Sequence, residues 1–282
     1  MAALFALLSA LTYGTGDFLG GLATRRVGSS WSVVVAGQFF GLAVELAILP
    51  LAWGSGPTAH DLAWGAAAGI AGAGALVCFY AALATGVMSI VAPTTAACSA
   101  VVPIVVGIVR GERPSAVAFT GVLLALGAIV LFGLQPHEHA AHTPRAGRRT
   151  AVLALAAGVG FGLFFVFLHE ASDNTGLWPI AAARAASLGA LSIACLAMRK
   201  PFRIARPHLG IVASAGIFDM SANALYLLAS RRGLLALVSV ISALYPATTI
   251  VLAVTLLRER LRRPHVVALM IAAAAVILIA LA

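Results

Sequence analysis

Charge is what this sequence has least of. Only 10% of its 282 residues are Asp, Glu, Lys or Arg, against 62% hydrophobic, and the mean hydropathy is +1.04. A soluble domain carries about 25% charged residues, so that class is excluded. Acidic residues are scarcer than basic ones, 9 against 18. The resulting excess of +9 does not mark a nucleic-acid binder. The arginines stand singly or in short groups between apolar runs and form no basic face interleaved with stacking aromatics. Cysteine is scarce too. Cys78, Cys98 and Cys195 fall inside apolar runs, with no CxxC spacing and an odd total. They read as small buried hydrophobes rather than as a disulfide framework or metal site.

Catalytic and energising motifs are also missing. No GxxxxGK[ST] loop occurs, so ATP-driven pumping would need another subunit. His169-Glu170 is followed by Ala, Ser and Asp, which breaks the HExxH spacing of zinc proteases. His137, Glu138, His139 and His142 lie in a polar stretch with no apolar frame to fix ligand geometry, and read as a solvated linker. Neither a metal, nor a cofactor, nor an enzymatic activity is expected. The first apolar run, Ala2 to Ala23, lacks a positive n-region and a cleavage site, and reads as a membrane helix rather than a signal peptide.

What is there is a succession of apolar windows, each near the roughly 20 residues that cross a bilayer. Ten are expected, near residues 3–24, 31–53, 62–84, 87–109 and 115–134, then 151–169, 177–198, 207–229, 234–257 and 264–281. Trp31, Trp53, Trp64 and Trp178 stand at span ends, as interfacial aromatics do. The one long polar connection, Gln135 to Arg149, separates two similar stretches. In each, a tyrosine (Tyr80, Tyr226), a glycine (Gly86, Gly233) and a Glu-Arg pair (Glu112-Arg113, Glu259-Arg260) recur in the same order, the glutamates 259 − 112 = 147 residues apart. The expected fold is therefore an all-α integral membrane protein of two five-helix repeats, residues 1–134 and 151–282, joined by a polar linker at 135–150.

Five spans per copy is odd, so the copies enter the membrane in opposite senses. Such an inverted repeat places a substrate site at mid-bilayer between the halves. The connections after odd-numbered spans carry most of the arginine, from Arg25 and Arg26 to Arg262 and Arg263. Those after even-numbered spans carry Arg110, Arg113, Arg231 and Arg232. The positive-inside rule puts the first set in the cytoplasm and both termini outside. Glycines four apart (16 and 20, 37 and 41, 65 and 69, 158 and 162) permit close helix packing. Pro93, Pro103 and Pro246, within the fourth and ninth spans, free backbone carbonyls and are candidate gating kinks, or merely tune packing.

Polar groups inside the spans carry the functional reading. A charge at the bilayer centre costs at least about 2.5–3.5 kcal/mol, so it needs a partner, water or a proton. Asp17 lies in the first span with Tyr13 one turn earlier. Gln38 and Glu45 share a face of the second, and Arg184 stands in the seventh. Asp219, Asn223 and Tyr226 form a stripe on the eighth, Tyr245 precedes Pro246, and Tyr80 lies in the third. We expect these to line one cavity for a small polar molecule, Arg184 taking a carboxylate and Asp17 or Asp219 an amine or an exchangeable proton. Two other readings stand beside it: a permanent Arg184–Asp219 or Arg184–Asp17 pair that pins helices, and snorkelling to the interface, for which Glu45 is the best placed.

The hinge residues Gly111-Glu112-Arg113 and Arg258-Glu259-Arg260, Pro246 thirteen residues before Glu259, and the pairs Tyr13-Gly14 and Phe161-Gly162 together resemble the EamA-type repeat of the drug/metabolite transporter superfamily. Ser99 stands where the first copy would carry the counterpart of Pro246, and Arg258 replaces the hinge glycine. The resemblance implies a ten-helix bundle in the inner or plasma membrane that moves small metabolites, amino-acid-like compounds among them, usually outward. It also implies cytoplasmic termini, against the arginine count. Asp17 is similar in chemistry to the first-helix glutamate of the superfamily's small drug exporters. Glu112 and Glu259 are expected to cap helix ends and pair with neighbouring arginines. The expected function is a secondary transporter with a small-molecule substrate, protons and the lipid bilayer as partners, acting as a monomer or weak homodimer without nucleic acid. A lipophilic-cation antiporter and an uncoupled facilitator or lipid-linked-substrate flippase are the alternatives.

Overall fold

In a computed structural model, residues 1–52, 56–85, 88–133, 144–171, 175–199, 202–257 and 263–281 are described. Trp53, Gly86, His137, Glu138, His139, His142 and the hinge Arg258-Glu259-Arg260 lie outside them, as do the side chains of Tyr80 and Pro93. The described residues form helices and no strands: α1 (Ala2–Val27), α2 (Ser30–Ile48), α3 (Ala59–Thr85), α4 (Met88–Val109), α5 (Ala116–Gly133), α6 (Pro144–His169), α7 (Trp178–Ala197), α8 (Leu209–Ser230), α9 (Leu235–Ser242), α10 (Tyr245–Leu257) and α11 (Arg263–Leu281). Six of these, α1, α2, α3, α6, α7 and α8, are long and apolar enough to cross a membrane. The remaining apolar stretches, Thr94–Val109, Ala116–Leu131, Leu235–Thr249 and Val266–Leu281, are shorter. The chain is a multi-pass membrane protein.

Helix ends follow local chemistry. The α1 terminus is closed by Gly28 in the left-handed region, at φ 74°. Ser29 accepts from the Ser32 amide to cap α2. Thr58 and Asp61 form a reciprocal capping box at the start of α3. The Glu112 carboxylate caps a helix as expected, but in the other half of the chain. It accepts from the amides of Leu235 (2.6 Å) and Ala236 (3.0 Å), the first residues of α9.

The ninth expected span is broken. Pro246 has no amide hydrogen to donate back to Ser242, and its ring crowds the preceding turn, so the chain bends through Ala243 and Leu244 and restarts as α10. The fourth span carries Ser99 at the corresponding place and runs unbroken as α4, Pro103 included. The sixth helix begins at Pro144, inside the stretch read as linker.

Packing crosses between the halves. The α1–α8 pair has its counterpart in α3–α6, α2–α8 in α3–α7, and α4–α6 in α10–α1, while α5 packs on α11. Directions match as well. The α1 and α8 helices are antiparallel, Ser9 bonding the Ala222 carbonyl and Gly16 lying against the Asp219 amide. Likewise α3 and α6 are antiparallel, Trp64 meeting Phe167 and Gly72 meeting Phe164. The α2–α8 and α3–α7 pairs are parallel and pack closely at Gly216 on Gly37 and at Gly69 on Ala183, where a Cβ added at Gly216 or Gly69 would overlap the facing carbonyl. Of the expected glycine pairs, Gly20 alone faces open space.

Candidate functional site

Near the middle of the bundle a cavity of about 150 Å³ opens between both halves. That is room for roughly ten water molecules. Seven of the expected residues line it: Tyr13, Asp17, Gln38, Arg184, Asp219, Asn223 and Tyr245. The elements that place them are the closely packed α1, α2, α7 and α8, and α10, which begins at Tyr245 just after the break.

Arg184 is the anchor of the polar wall. It is 4% exposed, donates from Nη1 to the Gln38 Oε1 atom at 2.7 Å and from Nη2 to the Asp219 Oδ2 atom at 2.6 Å. Its Nε lies 3.9 Å from a Glu45 carboxylate oxygen. Asp219 is held on one side and stays 42% exposed toward the cavity on the other. Asn223, one turn on, donates to the Asp219 carbonyl (2.8 Å) and accepts from the Tyr13 hydroxyl (2.6 Å), so both ends of its amide are used. The Tyr13 ring packs edge-on against Phe165 and beside Tyr245. Asp17 is different. It is exposed to the cavity, and no described residue hydrogen-bonds or ion-pairs with its carboxylate. The wall therefore holds two carboxylates and one guanidinium, and the guanidinium is already spoken for.

The second half of the chain, residues 148–281, matches the model of the EamA-like transporter family. Residues 148–281 are an EamA-like transporter domain. The family belongs to the drug/metabolite transporter superfamily, whose members are transporters rather than enzymes. The match covers the second half of the chain, and helices long and apolar enough to cross a membrane occur in both halves. A crystal structure of a protein 16% identical in sequence superposes with a TM-score of 0.81, covering 99% of this chain and 96% of that one. At that identity the likeness shows the fold alone. No curated protein matches the sequence.

The EamA-like half supplies Arg184, Asp219, Asn223 and Tyr245 to the cavity, and the first half Tyr13, Asp17 and Gln38. Two expected residues are elsewhere. Tyr226 is fully buried against Phe165, its hydroxyl sharing a hydrogen bond with Ser239 at 2.9 Å, because α8 turns that face toward α9. Glu45 neither lines the cavity nor snorkels; it is wholly buried behind Arg184. The Arg184–Asp219 pair that the sequence left as an alternative does form. Pro103 and Pro246 are buried, neither on the cavity surface.

Sequence reasoning missed the opposite wall. Leu76 and Phe79 of α3 and Phe161 and Phe164 of α6 present an apolar, largely aromatic surface to the polar one. The repeat itself is the signal that locates it. Arg184 and Gln38, bonded to each other, are 146 positions apart, close to the repeat spacing, so they occupy matching places in the two halves. By the same correspondence α1 with α8, bearing Asp17 and Asp219, answers to α6 with α3, bearing Phe164 and Gly72. The backbone arrangement is shared and the side-chain chemistry is not.

Proposed function

We propose that the protein is a secondary transporter that carries small amine-bearing metabolites, amino-acid-like compounds among them, out of the cell across its plasma or inner membrane in exchange for protons. It does so by alternating access between two inverted five-helix repeats that make ten crossings. One observation supports the reading: the Asp17 carboxylate faces a mid-bundle cavity without a hydrogen-bond or ion-pair partner among the described residues. A carboxylate in that setting needs a proton or a cation, and exchanging one for the other couples substrate movement to proton movement. The matching helix pairs across the halves support the inverted repeat. An amino-acid carboxylate would compete with Asp219 for Arg184, while an amine alone would leave that pair intact. The aromatic wall favours a substrate with an apolar body, which also keeps the lipophilic-cation reading open.

The test is substrate-evoked proton movement in proteoliposomes, with panels of amino acids and of amines without a carboxylate. Asp17→Asn is expected to reduce proton movement at least tenfold, and Asp219→Asn and Arg184→Ala to reduce it severalfold. Wild-type behaviour in all three variants would overturn the site. Undiminished substrate flux without proton movement in wild type would make the protein an uncoupled facilitator.

A further inference from the structure

Glu45 is used by nothing in the mechanism above, yet its position is unusual. It is 0% exposed, and neither carboxylate oxygen has a hydrogen-bond partner among the described residues. A buried acidic side chain left in this state is costly and calls for an explanation. Its nearest charged neighbour is Arg184, whose Nε is also without a partner and lies 3.9 Å away. That separation is too long for a hydrogen bond and short enough to become one after a small rotation of the guanidinium.

The surroundings fit such a rotation. Gln38, Gly41 and Glu45 succeed one another along one face of α2 at spacings of three and four. The guanidinium lies across this stripe, Nη1 on Gln38, its centre over Gly41, Nε toward Glu45. A Cβ on Gly41 would sit 2.9 Å from Nη1 and 3.2 Å from Cζ, and 3.0 Å from the Gly216 carbonyl. The absence of a side chain at 41 is what lets the group lie flat. The other groups facing it are Asp219 on α8 and, across the cavity wall, Tyr13 and Asp17 on α1; the α3 and α6 residues that line the cavity carry no charge.

We propose that Glu45 is a positioning residue for Arg184: a second, dry carboxylate that receives the guanidinium whenever Asp219 gives it up to a proton or a substrate amine. Arg184 thus alternates between a cavity partner and a buried one while keeping an ion pair throughout. The two arrangements are the discrete states that a transport cycle requires of a coupling element. The proposal rests on the transporter reading for its purpose, but not for its test.

That test is a double-mutant cycle read by thermal unfolding of the full chain in detergent, without transport. If Glu45 stands in for Asp219, Asp219→Asn and Glu45→Gln each lower Tm modestly, and the double variant lowers it by clearly more than their sum, because Arg184 then has no carboxylate left. Strict additivity overturns the proposal. In proteoliposomes, Glu45→Gln is expected to leave KM within about twofold, lower the maximal rate on the order of tenfold and flatten its pH profile, with Glu45→Asp partly restoring both. Gly41→Ala, which displaces the guanidinium without removing a carboxylate, should reproduce the rate defect; it serves as the second variant if Glu45→Gln folds poorly. A raised KM at unchanged rate in Glu45→Gln would mean direct substrate contact and overturn the proposal. Super-additive Tm loss without any proton-coupled flux would leave the switch standing and remove the transport reading instead.

Discussion

Asp17 and Glu45 are both carboxylates inside apolar helices, and their surroundings separate them completely. One is exposed to the cavity, the other lies in a closed interior beside a guanidinium. Sequence could find both, since an ionisable residue in a membrane span stands out against Leu and Ala, but it could not tell which faced the cavity. Burial depends on how α2 is rotated against α7, and that rotation is set by Gly37 and Gly41 meeting α8. Tyr226 was misplaced for the same reason: it shares a face with Asp219 by spacing, yet α9 covers it. At this scale Glu112 gives a clean prediction. Glu112→Ala removes two hydrogen bonds to the otherwise unpaired amides at the buried start of α9 and should cost about 2 kcal/mol in unfolding free energy. Glu112→Gln, which keeps one acceptor, should recover part of that loss, and denaturation in detergent would measure both.

Among the elements, the broken ninth span is the informative one. Pro246 and Ser99 occupy matching places in the repeat, and the helix breaks at the proline and continues through the serine. That difference was visible in the sequence; that a whole pair of residues, Ala243 and Leu244, leaves the helix was not, because the extent of a bend is set by what packs on it. Here Thr249 of α10 bonds the Gly14 carbonyl of α1 at 3.1 Å, holding the second segment against the first helix. If the break serves movement, Pro246→Ala should let α9 and α10 fuse, holding or raising Tm while turnover falls about tenfold. Wild-type turnover in that variant would leave the proline a packing residue.

For the whole molecule, the apolar runs and the repeated Glu-Arg signature made the fold legible, and the cross-half pairing of helices agrees with it. The aromatic wall was not legible, since phenylalanine in an apolar run carries no mark of facing water. If spans alternate through ten crossings, the start of α1 and the end of α11 share one membrane side and Arg26 lies on the other. In a background with Cys78, Cys98 and Cys195 replaced by Ala, impermeant thiol labelling of Met1→Cys and Leu281→Cys should occur from the same side, and Arg26→Cys from the opposite one. Labelling of all three from one side would reject the alternation. The arginine excess predicts a cytoplasmic Arg26 side and the family resemblance predicts cytoplasmic termini, and the same labelling in intact cells decides between them.

The grip of Glu112 on the first amides of α9 has a mechanical corollary. A rod clamped at its base and jointed eight residues further along can swing only beyond the joint. Any excursion of the segment that carries Tyr245 therefore leaves its stub fixed to the first half of the chain, and the cavity widens on the Tyr245 flank while the other keeps its shape.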